Sequence, residues 1–420
     1  MLTDLTVASI GEAAERLSRD RGEPSWLREK RLAAVDVFRS LSMPDPTRDE
    51  EWRRTSLAGL DLDGRPAGAV LEIEIGAPDE AAAAAGALAS DLGTAVARRP
   101  DIVRESLASS AVPPGWGKFE ALSAALFAGG FFLHVPRGVR LERPIEVRLG
   151  ARPAPEAQGF GAFCRSVLLL ERGSSAFVLL VAESPEDAIP GLYAGAVEVY
   201  LQEGAALRLG YVQRFGPDVY AFETRRAIVG RNARLAWVSA ELGAKLARTA
   251  TESHLGEQGG EARIATAVFG EARQHLDLAV RMVHVARHTA SDMLHRAALR
   301  DSARAIYRGT IDIKHGAKGT SARQKQASLL LSDEARSDAI PSLFIDEEEV
   351  SASHGATAGR LDREQLFYFM SRGLSRKVAE RLIVEGFFEP VVREFEEIAW
   401  REDLLGRIGR KIEREARAGA

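Results

Sequence analysis

The sequence predicts a mainly β protein: a β-helix core of stacked coils between helical N- and C-terminal regions. Three observations carry that expectation. Short β-type runs follow one another from about Phe131. A glycine or polar turn followed by a small residue recurs about every thirty residues, within the range that marks stacked repeats. Clear helical periodicity is confined to the two ends of the chain.

The elements follow in order. Residues 1 to about 60 read as helical, with Trp26, Leu27, Leu32, Val35, Phe38 and Leu41 on a helical period. Met43-Pro44-Asp45-Pro46 stops that helix, because the residue before a proline is pushed out of helical geometry. Residues 61–125 are mixed: a short alternating strand at Val70 to Ile75, an Ala-rich helix, and a break at Pro113-Pro114-Gly115. The β-runs come next, at Phe131 to Val135, Ile145 to Leu149, Ser166 to Leu170 and Phe177 to Val181. Ala196 to Leu201, Leu207 to Val212 and Arg225 to Val229 continue the series. Their turns echo one another, as in Glu171-Arg172-Gly173-Ser174, Glu203-Gly204-Ala205 and Gly230-Arg231-Asn232-Ala233. Gly259-Gly260 and Asp301-Ser302-Ala303 repeat the pattern. One coil cannot bury its own apolar face, but neighbours above and below can. The pattern favours a β-helix over a β-sandwich or jelly roll.

The C-terminal part is predicted helical. Asp362 with Gln365 forms a capping-box signature, and Gly373 is a helix stop. Ser375 caps a second helix that Gly386 ends, with Pro390 opening a third. Arg407 to Arg417 reads as a fraying charged tail. The expected domains are 1–125, mainly helical; 126–360, the β-helix; and 361–420, helical.

Composition bounds the function. A net charge of −4 gives no reason to expect a nucleic-acid partner. No run approaches the about 18 apolar residues of a membrane span, and the first residues do not read as a signal peptide. One cysteine, Cys164, excludes an internal disulfide. A cytoplasmic protein is expected.

Several catalytic signatures are missing. There is no Walker phosphate loop, no nucleophile elbow and no zinc helix. Iron–sulfur clusters usually take about four thiolates, which one cysteine cannot supply. Among the eight histidines, His284 and His288 are four apart, which on a strand is one side. Asp277, His295 and His315 come within reach if coils stack. A metal site there competes with simple hydrogen bonding along the coils, which is favoured. His354 stands apart, at a junction of sheet and helix among small residues (Ala352, Ser353, Gly355, Ala356) that leave its ring accessible. Cys164 reads as a small buried hydrophobe. Phe367, Tyr368, Phe369, Phe387 and Phe388 read as helix packing or as an apolar docking surface. Glu347 to Glu349 read as a solvated turn.

A joint set of motifs carries a family resemblance. Leu294-His295-Arg296, Tyr307-Arg308-Gly309 and Thr320-Ser321-Ala322-Arg323-Gln324 belong to it. So do Leu329 to Ser332, Ile340-Pro341-Ser342-Leu343, Ser353-His354-Gly355-Ala356-Thr357 and Gln365-Leu366-Phe367-Tyr368. Ser371-Arg372-Gly373, Glu385-Gly386-Phe387, Trp26-Leu27-Arg28 and Glu51 to Thr55 complete it. On these residues the chain resembles the SufB/SufD family of iron–sulfur cluster assembly proteins, and within it the SufD branch.

The resemblance implies a right-handed parallel β-helix and a non-catalytic scaffold subunit, not an enzyme. It implies partnership with a SufB-type paralogue and a SufC-type ATPase, with a homodimer as a further state. The ATPase would dock on the C-terminal region through Leu366, Phe367, Tyr368, Arg372, Phe387 and Phe388. His354 would be the candidate metal ligand at the junction with SufB. No cofactor would be held stably by this chain alone; iron or a nascent cluster would pass transiently through that interface. SufD relatives often carry a cysteine two residues before this histidine. Ala352 stands there, so thiolates would come from SufB. Two other classes compete: a homodimeric adaptor without a metal role, and a β-helix carbohydrate-active enzyme using Asp277, Arg281 and Asp312.

Overall fold

The computed structural model describes residues 4–5, 9–62, 65–66, 69–155, 157–395 and 397–413. Two nine-stranded sheets face each other, and the chain alternates between them as it winds. The front sheet runs from Leu88–Asp91 and Phe131–Val135 through Phe160–Leu170 and Gly191–Leu201 to Arg336–Ile345. The back sheet runs from Ile145–Pro153 through Ser175–Glu183 to Ser351–Arg360. Ser175 pairs with Ala206, Ala206 with Arg234, Arg234 with Glu261, Glu261 with Ala290, and Ala290 with Ser321, always in parallel. The result is a β-solenoid of stacked coils.

The recurring turns are its corners. Gly138, Gly173, Gly204, Asn232, Gly259, His288 and Gly319 all have positive φ. They form one column. The Gly173 N–H donates to the Glu203 carbonyl, Gly204 to Arg231, Asn232 to Gln258, and His288 to Lys318. A left-handed residue is needed at each corner, and glycine or asparagine adopts it most cheaply. The small residue after it (Ala205, Ala233) is buried where successive corners meet.

Alternate strand residues point inward and form one continuous apolar core, including Leu168, Val178, Leu209, Trp237, Ile264 and Met293. Both outer faces are also covered. Helices Ile10–Asp20, Ser25–Ser40 and Lys118–Leu126 lie on the front sheet through Phe38, Phe119, Phe163 and Phe222. Arg31 is fully buried there, paired with Glu23 at 2.7 Å and donating to the Ala125 and Phe127 carbonyls. Helices Arg376–Val392 and Ile398–Glu413 lie on the back sheet, where Phe388, Val391, Phe395 and Ile408 meet Val238, Ala267 and Phe269.

The expected strands are present, Phe131–Val135 with the expected bounds and the others longer. Ser166 to Leu170 is the second half of Phe160–Leu170, and Arg225 to Val229 of Val219–Val229. Gly161 and Ala162 in the first half of one, and Glu223 and Thr224 in the other, hid them. Three C-terminal expectations are corrected. Gly386 does not end a helix and Pro390 does not begin one, since Arg376–Val392 runs through both. An interior proline costs about 3 kcal/mol, but burying Val384, Phe388 and Val391 returns about 1.5–3 kcal/mol each. The charged tail does not fray between Arg407 and Glu413. It is helical, held by buried Ile408 and by Arg300 donating to the Lys411 and Ile412 carbonyls. Residues 414–417 of that expectation lie outside the described residues.

Candidate functional site

His354 lies mid-strand in Ser351–Arg360, not in a turn as its small neighbours suggest. That strand is the last of the back sheet and pairs only with Ser321–Leu330, leaving one edge without a strand among the described residues. His354 is in register with Gln324, whose side chain is buried in the core. By strand alternation His354 faces the solenoid interior. No coil follows to cover it, so the ring is exposed. The edge strand of the front sheet, Arg336–Ile345, is likewise open, with Phe344 60% exposed. The acidic turn between these strands is tied down: Glu347 accepts the Gly316 N–H at 2.9 Å, and Glu349 pairs with Lys318 at 2.8 Å.

A helical hairpin follows at once. Asp362 caps Arg363–Ser371 by accepting the Glu364 and Gln365 N–H groups, and Ser375 caps the next helix at Val378. Gly373 has φ +88°, as its place past a helix end requires. The expected docking residues divide. Leu366 and Phe388 are buried and belong to packing. Phe387 is half-buried against Phe388, with the Arg296 guanidinium 5.0 Å from its ring. Phe367 and Tyr368 are 72% and 55% exposed, and Arg372 is exposed over the Tyr368 ring at 5.3 Å. Met370, Val378 and Leu382 are exposed too. Period alone could not separate these faces, because both carry aromatics. A groove of about 770 Å³ runs between the hairpin and the last coils, lined by Leu329, Tyr368, Phe369, Leu382 and Phe387.

The histidine and acid positions in the coils do not converge. Among the described residues, no three His, Cys, Asp or Glu side chains come together to hold a metal ion. His284 ends a strand inside the core, bonded to Thr289 and Ser291 at 2.8 Å, while His288 occupies a corner, so the pair does not share a strand side. Burial pushes His284 down to about 4 and His295 to about 3. His295 stacks on Tyr307 with centroids 4.0 Å apart. Asp277 is fully buried on the outer front face, bonded to Thr55, Arg248 and Arg308. Asp312 pairs with Arg281 and Lys314. These carboxylates are neutralised by cross-strand arginines and are not a free acid/base pair. Cys164 is buried, and burial drives its thiol pKa up.

Sequence reasoning missed the interior ions. Glu223 is buried among Tyr193, Tyr211, Arg225 and Glu241, and desolvation raises its pKa to about 7. Arg225 pairs with Glu241 at 3.0 Å and stacks on the Tyr211 ring. On the outer face Arg165 pairs with Glu198 at 3.2 Å, both fully buried, and Glu198 receives the Ala108 N–H at 2.8 Å. Inward polar residues in a β-run were the available signal.

The family described as "SUF system FeS cluster assembly, SufBD core domain" matches residues 154–387. The iron–sulfur cluster assembly protein SufD of Bacillus subtilis is 29% identical, over 96% of this chain and 97% of its own length. SufB of the same organism is 26% identical, over 91% of this chain and 89% of its own length. A SufBD family protein of Staphylococcus epidermidis is 29% identical, over 74% of this chain and 65% of its own length.

Proposed function

The chain belongs to the SufB/SufD family of iron–sulfur cluster assembly proteins, and we propose that it is a SufD-type scaffold subunit without catalytic chemistry of its own. It binds a SufC-type ATPase through the exposed hairpin surface of Phe367, Tyr368, Met370, Arg372, Val378 and Leu382. It joins a SufB-type paralogue, or a second copy of itself, at the open coil end. His354 meets iron or a nascent cluster there as substrate, the other ligands coming from the paralogue.

The observation that carries this reading is adjacency. An apolar patch, more than surface chance explains, joins directly to an unpaired edge strand bearing an exposed imidazole. A pull on the hairpin is transmitted to that edge through Leu361 and Asp362, with no intervening linker. The capping of Arg363–Ser371 by Asp362 makes that joint stiff.

Co-purification with a tagged SufC-type ATPase tests the docking surface. Truncation before the hairpin is unsuitable, because it unroofs Val238, Ala267 and Phe269. The double substitution Phe367→Asp and Leu382→Asp changes only exposed positions. Loss of capture with an unchanged melting temperature supports the reading; full capture removes this surface from it. His354→Ala should lower cluster yield in the assembled complex while leaving the complex intact. Equal yield removes His354 from the chemistry.

A further inference from the structure

The solenoid core contains a polar line that the apolar majority conceals. On the inward face of the back sheet, Tyr211, Ser239, Thr266, His295 and Gln326 occupy one register position in five successive strands. Each is essentially without solvent exposure. Adjacent members sit about 4.8 Å apart along the stack, the spacing of neighbouring strands. Ser239 donates to Thr266 at 3.2 Å. The next residue in register is Ala356, on the exposed last strand, so the line reaches solvent beside His354.

The other end is Glu223. The groups facing it come from every surrounding strand: Cys164, Tyr193, Tyr211, its own neighbour Arg225, and Glu241. Tyr193 and Tyr211 lie beside its carboxylate, and the Tyr211 hydroxyl and both Glu223 oxygens are buried without a hydrogen-bond partner in the protein, so a water between them would link Glu223 to the line. Arg225 is engaged by Glu241 at 3.0 Å, which leaves Glu223 as the carboxyl not claimed by a salt bridge.

The line has more hydrogen-bonding capacity than its side chains use. His295 Nδ1 and Gln326 Oε1 in the line, and Gln324 Oε1 in the register position beside it, are buried without a protein partner. Leaving such groups dry is costly, and buried water with two to four polar neighbours is the usual remedy. His295 stays neutral, since burial lowers its pKa to about 3. A neutral imidazole keeps one N–H and one lone pair, so it can pass a proton on.

We propose that the solenoid interior holds a water-threaded hydrogen-bonding file that carries protons between Glu223 and the open end beside His354. A proton leaving the Glu223 carboxyl passes by hydroxyl, water and imidazole to bulk solvent, and returns the same way. No electron moves and no bond other than O–H and N–H is exchanged. This inference does not rest on the docking reading: Tyr211, Ser239, Thr266, His295 and Gln326 are buried within the isolated chain, although the file opens at the coil end where that reading seats the paralogue.

The test is stopped-flow infrared spectroscopy of the full chain mixed into deuterated buffer, below neutrality where Glu223 is protonated. Glu223→Gln identifies the carboxyl band by removing it. In the native chain that band should shift to its deuterated position within seconds. Thr266→Val, which keeps the shape and removes the hydroxyl, should slow the shift about tenfold or more while the melting curve stays native. Ser239→Ala serves as the second interruption should Thr266→Val not fold. Native exchange as slow as the most protected backbone amides overturns the proposal. So does an unchanged rate in the folded interrupted variant, since the proton then reaches Glu223 by another route.

Discussion

The two ends of the solenoid are built oppositely. At the N-terminal end the coils are closed by the chain itself. Ala69–Ile75 and Leu88–Asp91 pair antiparallel with the first coil strands, and Phe131, Leu133, Val135 and Ile145 beneath them are fully buried. Both sheets have an outer strand at each end, but at the C-terminal end Arg336–Ile345 and Ser351–Arg360, each unpaired on one side among the described residues, also have exposed faces. Their residues differ most between Phe131–Val135 at the closed end, all large and apolar but for His134, and Ser351–Arg360 at the open one, mostly Ser, Ala, Gly and Thr. Unpaired edges invite other strands, and monomeric proteins usually cover or charge them. The N-terminal end thus covers its core with the chain's own strands, whereas the C-terminal end leaves its last core-facing positions exposed.

The comparison can be broken at the closed end. Phe131→Ala should cost about 3–5 kcal/mol in chemical denaturation, because the cavity forms where antiparallel strands hold the walls fixed. Arg165→Met should be of similar size, about 3–5 kcal/mol, since Glu198 is left charged and buried without its partner. A loss under 1 kcal/mol in either would mean that this end is not the rigid one.

The middle of the molecule gives a pH signature. The Glu223 carboxyl has a folded pKa of about 7 against 4.5 unfolded. The folded state therefore holds the proton more tightly, and its contribution is full below pH 4.5 and lost as pH rises through 7. Native stability relative to Glu223→Gln should fall by about 3 kcal/mol across that window. A flat difference would mean that Glu223 ionises freely.

Effects shrink toward the open end. Leu343→Ala, half-buried on the last front strand, should cost about 1 kcal/mol, because its surroundings are open enough to relax. Gly355→Lys, outward-facing and with nothing near its Cβ, should change stability by no more than about 0.5 kcal/mol. The same substitution should abolish pairing with a SufB-type paralogue or a second copy, read by sedimentation velocity. Unimpaired pairing would move the interface away from this edge.

Much of this architecture was readable in the residues. The corner column was visible as Gly173, Gly204, Asn232 and Gly259, since left-handed geometry narrows residue choice. The caps at Asp362 and Ser375 were readable for the same local reason. What escaped was decided by long-range packing. Gly386 and Pro390 carry stop signals that a buried stripe overrode. Leu366 and Phe367 are neighbours of similar hydropathy, and only the sheet beneath tells which is covered. His354 looked like a turn residue because Ser, Ala and Gly flank it, yet those same small residues make a flat edge strand. Glu223 and Arg225 face the core of a sheet that has helices outside and apolar residues inside, so alternation along the strand does not report solvent.

The corner column has one more consequence. Because each corner on the side of Gly173, Gly204, Asn232 and Gly259 repeats a left-handed residue that bonds to the next corner, coils on that side stack at a constant step. Adding or removing a coil would shift the bare edge along the axis by a single strand spacing, about 4.8 Å, with the length difference taken up in the more variable corners on the other side. Helices laid across the back sheet are anchored to particular coils, as Arg300 is to the end of Ile398–Glu413. The reach between the hairpin and the far edge is thus graduated like a ruler. Descent with gain or loss of coils could retune it in fixed steps, whereas loss of one residue within a strand would turn its inward face out.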